Sequence, residues 1–129
     1  MLTIKNYNLD NGLSKILHND NGGKLLNLKG PMGKGLAMKR KGTHIAFSAG
    51  TGALLFLDLV THLARKHMGL LTPEEEGQVD DDFKLVFFAT FRNLDLSIGK
   101  ELCDLVQEMS KNSPQPFFEY HCRLSINNE

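Results

Sequence analysis

Ala49-Gly50-Thr51-Gly52 joins a short apolar run to a longer one, and residues of those types at that spacing can hold a phosphate. Ile45, Ala46 and Phe47 suit a buried parallel strand, and Ala53 to Ala64 is long and apolar enough for a helix packed on a sheet. A glycine turn between strand and helix aims backbone N–H groups and the positive end of a helix dipole at one point. The same turn also has a purely structural reading, in which small residues let helix and strand pack closely.

Other chemistries are poorly served. No lysine follows Gly52, so the GxxxxGK[ST] loop of nucleoside triphosphatases is missing. Ser48 sits near a sharp turn, but its context lacks the Gly-x-Ser-x-Gly nucleophile elbow. His62 and His67 are five residues apart on a helix and do not share a face as an i, i+4 metal pair does. His18, His44 and His121 are scattered, and no HExxH or Cys/His cluster exists, so no metal site is expected. Cys103 and Cys122 stand alone, one on an expected helix and one on an expected strand, and are read as buried free thiols.

The 129 residues carry no formal net charge, with 41% hydrophobic and 23% charged residues, which suits one soluble domain or one domain plus a piece of another. The charge is unevenly spread. Between Asp20 and Asp58 there is no acid, while Lys24, Lys29, Lys34, Lys39, Arg40 and Lys41 all fall there, as an anionic ligand would require. The acids gather in Glu74-Glu75-Glu76 and Asp80-Asp81-Asp82, in a segment read as a flexible, solvent-exposed connection. No stretch approaches the ~18 apolar residues of a membrane span. MLTIKNYNLD lacks a signal-peptide layout, so an intracellular location, cytoplasmic or organellar, is expected. The basic stretch lacks interleaved aromatics for base stacking, which argues against nucleic acid.

The elements that must position the glycine loop follow from periodicity. Lys84 to Phe91 is a second apolar strand. Leu94, Ile98, Leu102, Leu105, Val106 and Met109 recur at spacings of three and four, an amphipathic helix. Ser113-Pro114-Gln115-Pro116 ends it, and Phe118 to Leu124 alternates as a third strand. Strand, helix, strand, helix, strand is half of a doubly wound parallel sheet. Ahead of it, Gly12 to Leu17 suits a short helix, and Lys24 to Lys29 a short strand of a separate, β-rich unit.

These residues resemble the ferredoxin–NADP reductase superfamily of modular flavoproteins. Gly12-Leu13-Ser14 with Ile16-Leu17 is similar to the Gly-x-Ser element and short helix late in the flavin domain. Leu28-Lys29-Gly30-Pro31-Met32-Gly33 is similar to the Gly-Pro-x-Gly turn at that domain's last strand. Ser48-Ala49-Gly50-Thr51-Gly52 resembles the Gly-Thr-Gly loop that opens the nicotinamide-nucleotide domain, and Phe88 to Arg92 with Asp95 resembles the strand end near the adenosine ribose. The matches keep the family's order over residues 11–124. Other family features are missing: the Arg-x-Tyr-Ser/Thr flavin strand, strands four and five, the Cys-Gly-x-Pro-type motif, and a proline where Leu55 stands.

The resemblance implies a three-layer, doubly wound α/β domain over residues 37–129, truncated after its third strand, behind the tail of a flavin-binding barrel over 1–36. It implies an enzyme that passes a hydride from NAD(P)H to FAD or FMN and electrons to an acceptor protein or domain, the isolated portion being inactive. Gly50, Thr51 and Gly52 would hold the dinucleotide's diphosphate, with Thr51 adding a hydroxyl donor; Ser14 would touch the flavin phosphates, and Arg92 the adenosine phosphate or ribose. An alternative is a non-catalytic nucleotide-sensing or interaction domain of the same fold. Without strands four and five, Ile45 to Phe47 becomes an exposed apolar edge through which the chain is expected to self-associate.

Overall fold

A computed structural model describes residues 12–19, 27, 29, 32 and 35–125, and the chain divides into two units, Met1–Ala37 and Met38–Glu129. In the first unit α1 (Leu13–Asn19) begins where the Gly12-Leu13-Ser14 step is expected to open a helix. Gly12 O accepts from the N–H groups of Lys15 and Ile16 at 3.0 and 3.1 Å. The helix buries none of its residues. The strand expected over 24–29 and the following glycine–proline turn lie largely outside the described residues.

The second unit runs β1 (Thr43–Ala49), α2 (Leu54–His67), β2 (Lys84–Phe91), α3 (Lys100–Lys111) and β3 (Phe118–Leu124). The three strands are parallel in the order β1-β2-β3, with Ala49 level with Thr90 and Thr90 level with Arg123. Alternation along each strand decides what is buried. Ala46, Leu85, Phe87, Ala89, Phe91, Phe118 and Tyr120 form one core with Val60, Leu63 and Ala64 of α2 and Cys103 and Val106 of α3. Phe87 is fully buried at its centre, 5.1 Å from the Phe56 ring and 5.7 Å from Tyr120.

Both helices therefore lie on one face, and they touch each other. Two crossovers of the same hand that step the same way across a sheet must deliver their helices to the same side. The expected third layer is absent among the described residues. β1 and β2 are accordingly not buried through and through. Ala46 is buried, but its neighbours Ile45 and Phe47 are 63% and 74% exposed, and Val86 and Phe88 are half-buried on the same open face.

Two further expectations change. The amphipathic helix begins at Lys100 rather than near Leu94, because the chain first makes a 3₁₀ turn over Leu94–Leu96. The Asn93 side chain accepts from Leu96 N–H at 3.1 Å in that turn, and Gly99 is left-handed at φ 75°. The acidic connection is not simply solvated. Val79 and Phe83 are buried in the core, Asp80 N–H donates to Arg40 O at 2.7 Å, and Lys66 donates to Val79 O and pairs with Asp81.

Glu75 anchors the same segment. Its carboxylate accepts from both Arg65 guanidinium nitrogens, at 2.5 and 2.7 Å, and from Thr72 N–H at 2.9 Å. The Arg65 hydrogen bonds first, then Thr72, hold its pKa down to about 2. A depressed carboxylate contributes stability that is present above its unfolded pKa of about 4.3 and lost as pH falls toward the folded value. Side-chain NMR is expected to show Glu75 titrating near pH 2, and Arg65→Gln to return it toward the ordinary carboxylate range.

Candidate functional site

Parallel strands put all their carboxyl ends on one edge, where open α/β sheets take their ligands. Here that edge carries the 3₁₀ turn Gly50–Ala53 after β1, residues 92–98 after β2, and Ser125 after β3. Ser125 N–H donates to Phe91 O at 2.8 Å, which extends the ladder to the edge itself.

The glycine loop is held from below. Ala53 is fully buried, which fixes the end of the turn, and Ala49 and Ala53 provide no side-chain cap. The first N–H groups of a helix lack intrahelical acceptors, but here Leu54 N–H already bonds the Gly52 and Thr51 carbonyls, so donors open to an anion lie in the turn before α2. α2 has no acid in its first turn, while Arg65, Lys66 and His67 fill its last, so only its negative end is matched by side-chain charge. Gly50 is left-handed at φ 53°, a conformation that favours glycine, and a Cβ there would meet nothing within 4 Å. At Gly52 a Cβ would find only the Ser48 Cβ, at an ordinary 3.9 Å. The fold itself has no steric need for glycine at residue 52. Beneath the loop, Ser48 Oγ is buried with no hydrogen-bond partner.

Gly50, Thr51, Gly52 and Arg92 therefore share one edge of the sheet, and Asp95 lies in the turn just beyond Arg92. Arg92 is exposed and makes no ion pair among the described residues. Ser14 belongs to the first unit, on α1, half-buried.

The basic stretch does not reach the loop. Arg40 and Lys41 lead into the amino end of β1, and a seven-residue strand separates them from Gly50 by roughly 20 Å. Arg40 instead lies 3.5 Å from Asp80, and Lys41 O accepts from His44 Nε2 at 3.1 Å. Arg123 is a cation that the sequence reading passed over. It is exposed at the carboxyl end of β3, without an ion pair among the described residues. The alternation Glu119, His121, Arg123 and the parallel order together place it beside Thr90, and both signals are present in the sequence.

The histidines and cysteines stand apart from this edge. His62 Nε2 is buried on α2 without a partner, and burial lowers its pKa. Burial pushes the Cys103 thiol up to about 12, whereas Cys122 is half-buried rather than fully so. No cluster of three metal-ligating side chains occurs among the described residues.

A three-stranded parallel sheet with a glycine loop at its carboxyl edge defines an α/β domain compatible with a Rossmann-like fold. No protein-family model, no curated protein and no solved structure matches this chain. No helix among the described residues is long and apolar enough to cross a membrane.

Proposed function

We propose that the Gly50–Gly52 loop binds the diphosphate of a nicotinamide dinucleotide, and that the chain is the nucleotide-binding part of a flavin-dependent oxidoreductase of the ferredoxin reductase type. The observation that carries the nucleotide part is Gly52, a glycine with an ordinary φ and no neighbour that a Cβ would strike. A glycine with no internal steric reason to be one fits a backbone that a ligand must approach closely. Uncapped N–H groups and Thr51 would face the diphosphate, and Arg92 would reach the adenosine ribose or its 2′-phosphate.

When bound, the nicotinamide supplies the hydride and a flavin accepts it. This chain's residues bind and orient the nucleotide. The flavin enters only through the resemblance, since Ser14 on a short helix in the other unit is the one described residue assigned to it. The electron acceptor, a protein or domain, is part of the same reading.

Titration of NAD⁺, NADP⁺ and 2′,5′-ADP into the isotope-labelled chain tests the nucleotide part. Shifts are expected at Gly50, Thr51, Gly52 and Arg92. Gly52→Ala is expected to fold as the parent does, because its Cβ has 3.9 Å of room, yet to bind at least ~10-fold more weakly, about 1.4 kcal/mol. An alanine variant that binds as well as the parent, or no shift at millimolar ligand, would sink the reading. Binding without hydride transfer in the flavin-reconstituted protein would favour the non-catalytic sensing alternative.

A further inference from the structure

The face of the sheet turned away from the helices carries a row of three rings, one from each strand. Phe47 lies 5.1 Å from Phe88 with planes 15° apart, and Phe88 lies 4.6 Å from His121 at 11°. All three sit at one register level. Ile45 and Val86 extend the apolar surface, while Glu119 and Arg123 lie one alternation before and after His121 on β3. Parallel sheets are ordinarily covered on both faces, because both read as apolar. Here the second face has no helix over it among the described residues, and Phe47 is its most exposed large hydrophobic side chain.

Ring orientation narrows what belongs there. Rings stacked along the row show their edges outward, so a nucleic-acid base could lie flat only against the outer side of Phe47. A second apolar layer suits such a surface better. The charges identify that layer. Turning a copy of the sheet over about an axis along the ring row sets Phe47 against the partner's Phe47 and Ile45 against the partner's Ala49. It also sets Glu119 opposite the partner's Arg123, and Arg123 opposite the partner's Glu119. A two-fold contact must be self-complementary in this way.

We propose that the open face of this sheet is a homodimer interface, two copies packed face to face across the Phe47–Phe88–His121 row. Glu119 already bonds Lys84 at 3.1 Å and His121 at 2.8 Å, so its carboxylate is held in place on the surface. Arg123 has no ion pair among the described residues and is free to meet it. Three strands about 4.8 Å apart and seven residues long present roughly 350 Å². A standard interface buries ~800 Å² on each partner, so this one belongs with the small, weak and transient contacts. The proposed nucleotide contacts, Gly50 to Gly52 and Arg92, lie beyond the strand ends rather than on this face, and Arg123 at the end of β3 is where the two surfaces meet.

Sedimentation of the full chain at low salt, from about 10 μM to 1 mM, tests the proposal. A monomer–dimer equilibrium is expected, with Arg123→Glu weakening it at least ~10-fold. Combining Arg123→Glu with Glu119→Arg restores the complementary pairs and is expected to recover most of the loss, which an association elsewhere on the molecule would not do. Should the charge swap fail to fold, Phe47→Asp serves instead, since Phe47 is 74% exposed and contributes little to the core; it is expected to leave only monomer. A monomer throughout the range overturns the proposal and leaves the face to a different partner. A dimer indifferent to both Arg123→Glu and Phe47→Asp overturns it in favour of pairing along the β1 edge.

Discussion

Ser110→Ala is expected to lower the unfolding free energy by about 2–4 kcal/mol, the largest effect of any single atom removed here. Ser110 is 0% exposed, near the end of α3. Its hydroxyl oxygen accepts from Phe117 N–H at 2.9 Å and from Phe118 N–H at 2.8 Å. Those two donors lie where the chain leaves the proline-containing turn and enters β3, and Phe117 O accepts from Leu85 N–H at 3.0 Å across the sheet. Alanine keeps the shape but removes the acceptor, leaving two N–H groups with no bond. Each buried unsatisfied group costs about 1–3 kcal/mol, so the pair outweighs the loss of an ordinary hydrogen bond. Urea denaturation read by far-UV circular dichroism measures the difference. A change below about 0.5 kcal/mol would mean that water reaches both donors and that the serine is not what joins α3 to β3.

The parts of this fold legible in the sequence are those fixed by local pattern. Lys84 to Phe91 and Phe118 to Leu124 alternate or run apolar over their whole lengths, and the structure makes them strands over those residues. The glycine loop was legible for the same reason, since strand, turn and helix each have their own signature. What was not legible depends on long-range partners. Leu94 and Ile98 satisfy a helical spacing, yet Asn93 captures the turn and Gly99 delays the helix to Lys100. Val79 looks like one apolar residue in an acidic loop, yet its side chain joins the core while Lys66 of α2 donates to its carbonyl and Arg40 O accepts from the next N–H. Arg40 and Lys41 precede the loop in sequence, but β1 carries the chain away from them before the loop forms. Proximity along a strand is the reverse of proximity at its end. That geometry also brings Arg123 to the loop's edge of the sheet from more than 70 residues away.

Gly99→Ala is expected to cost about 2–4 kcal/mol, for two separable reasons. The backbone there is left-handed, φ 75° and ψ 6°, which costs an L-residue roughly 1–2 kcal/mol. A Cβ would also lie 2.8 Å from Leu57 Cδ1 and 3.2 Å from its Cγ, with Cδ2 nearer still. Leu57 is half-buried and packed against the core on α2, so its methyl groups must turn aside to admit the Cβ, and overpacking of this kind costs about 1–3 kcal/mol. A double-mutant cycle separates the two reasons. Leu57→Ala removes the overlap but not the backbone strain, so Gly99→Ala introduced into Leu57→Ala should cost only about 1–2 kcal/mol. Equal costs in both backgrounds would mean that the glycine is required for its backbone alone. The substitution also bears on the proposed site. Residues 92–98 run directly into Gly99, and any shift of the α3 start moves the turn that follows Arg92. Amide shifts spreading from Lys100 back to Arg92 in the folded fraction of Gly99→Ala would show that one close contact between helices sets the edge where the nucleotide is expected to bind.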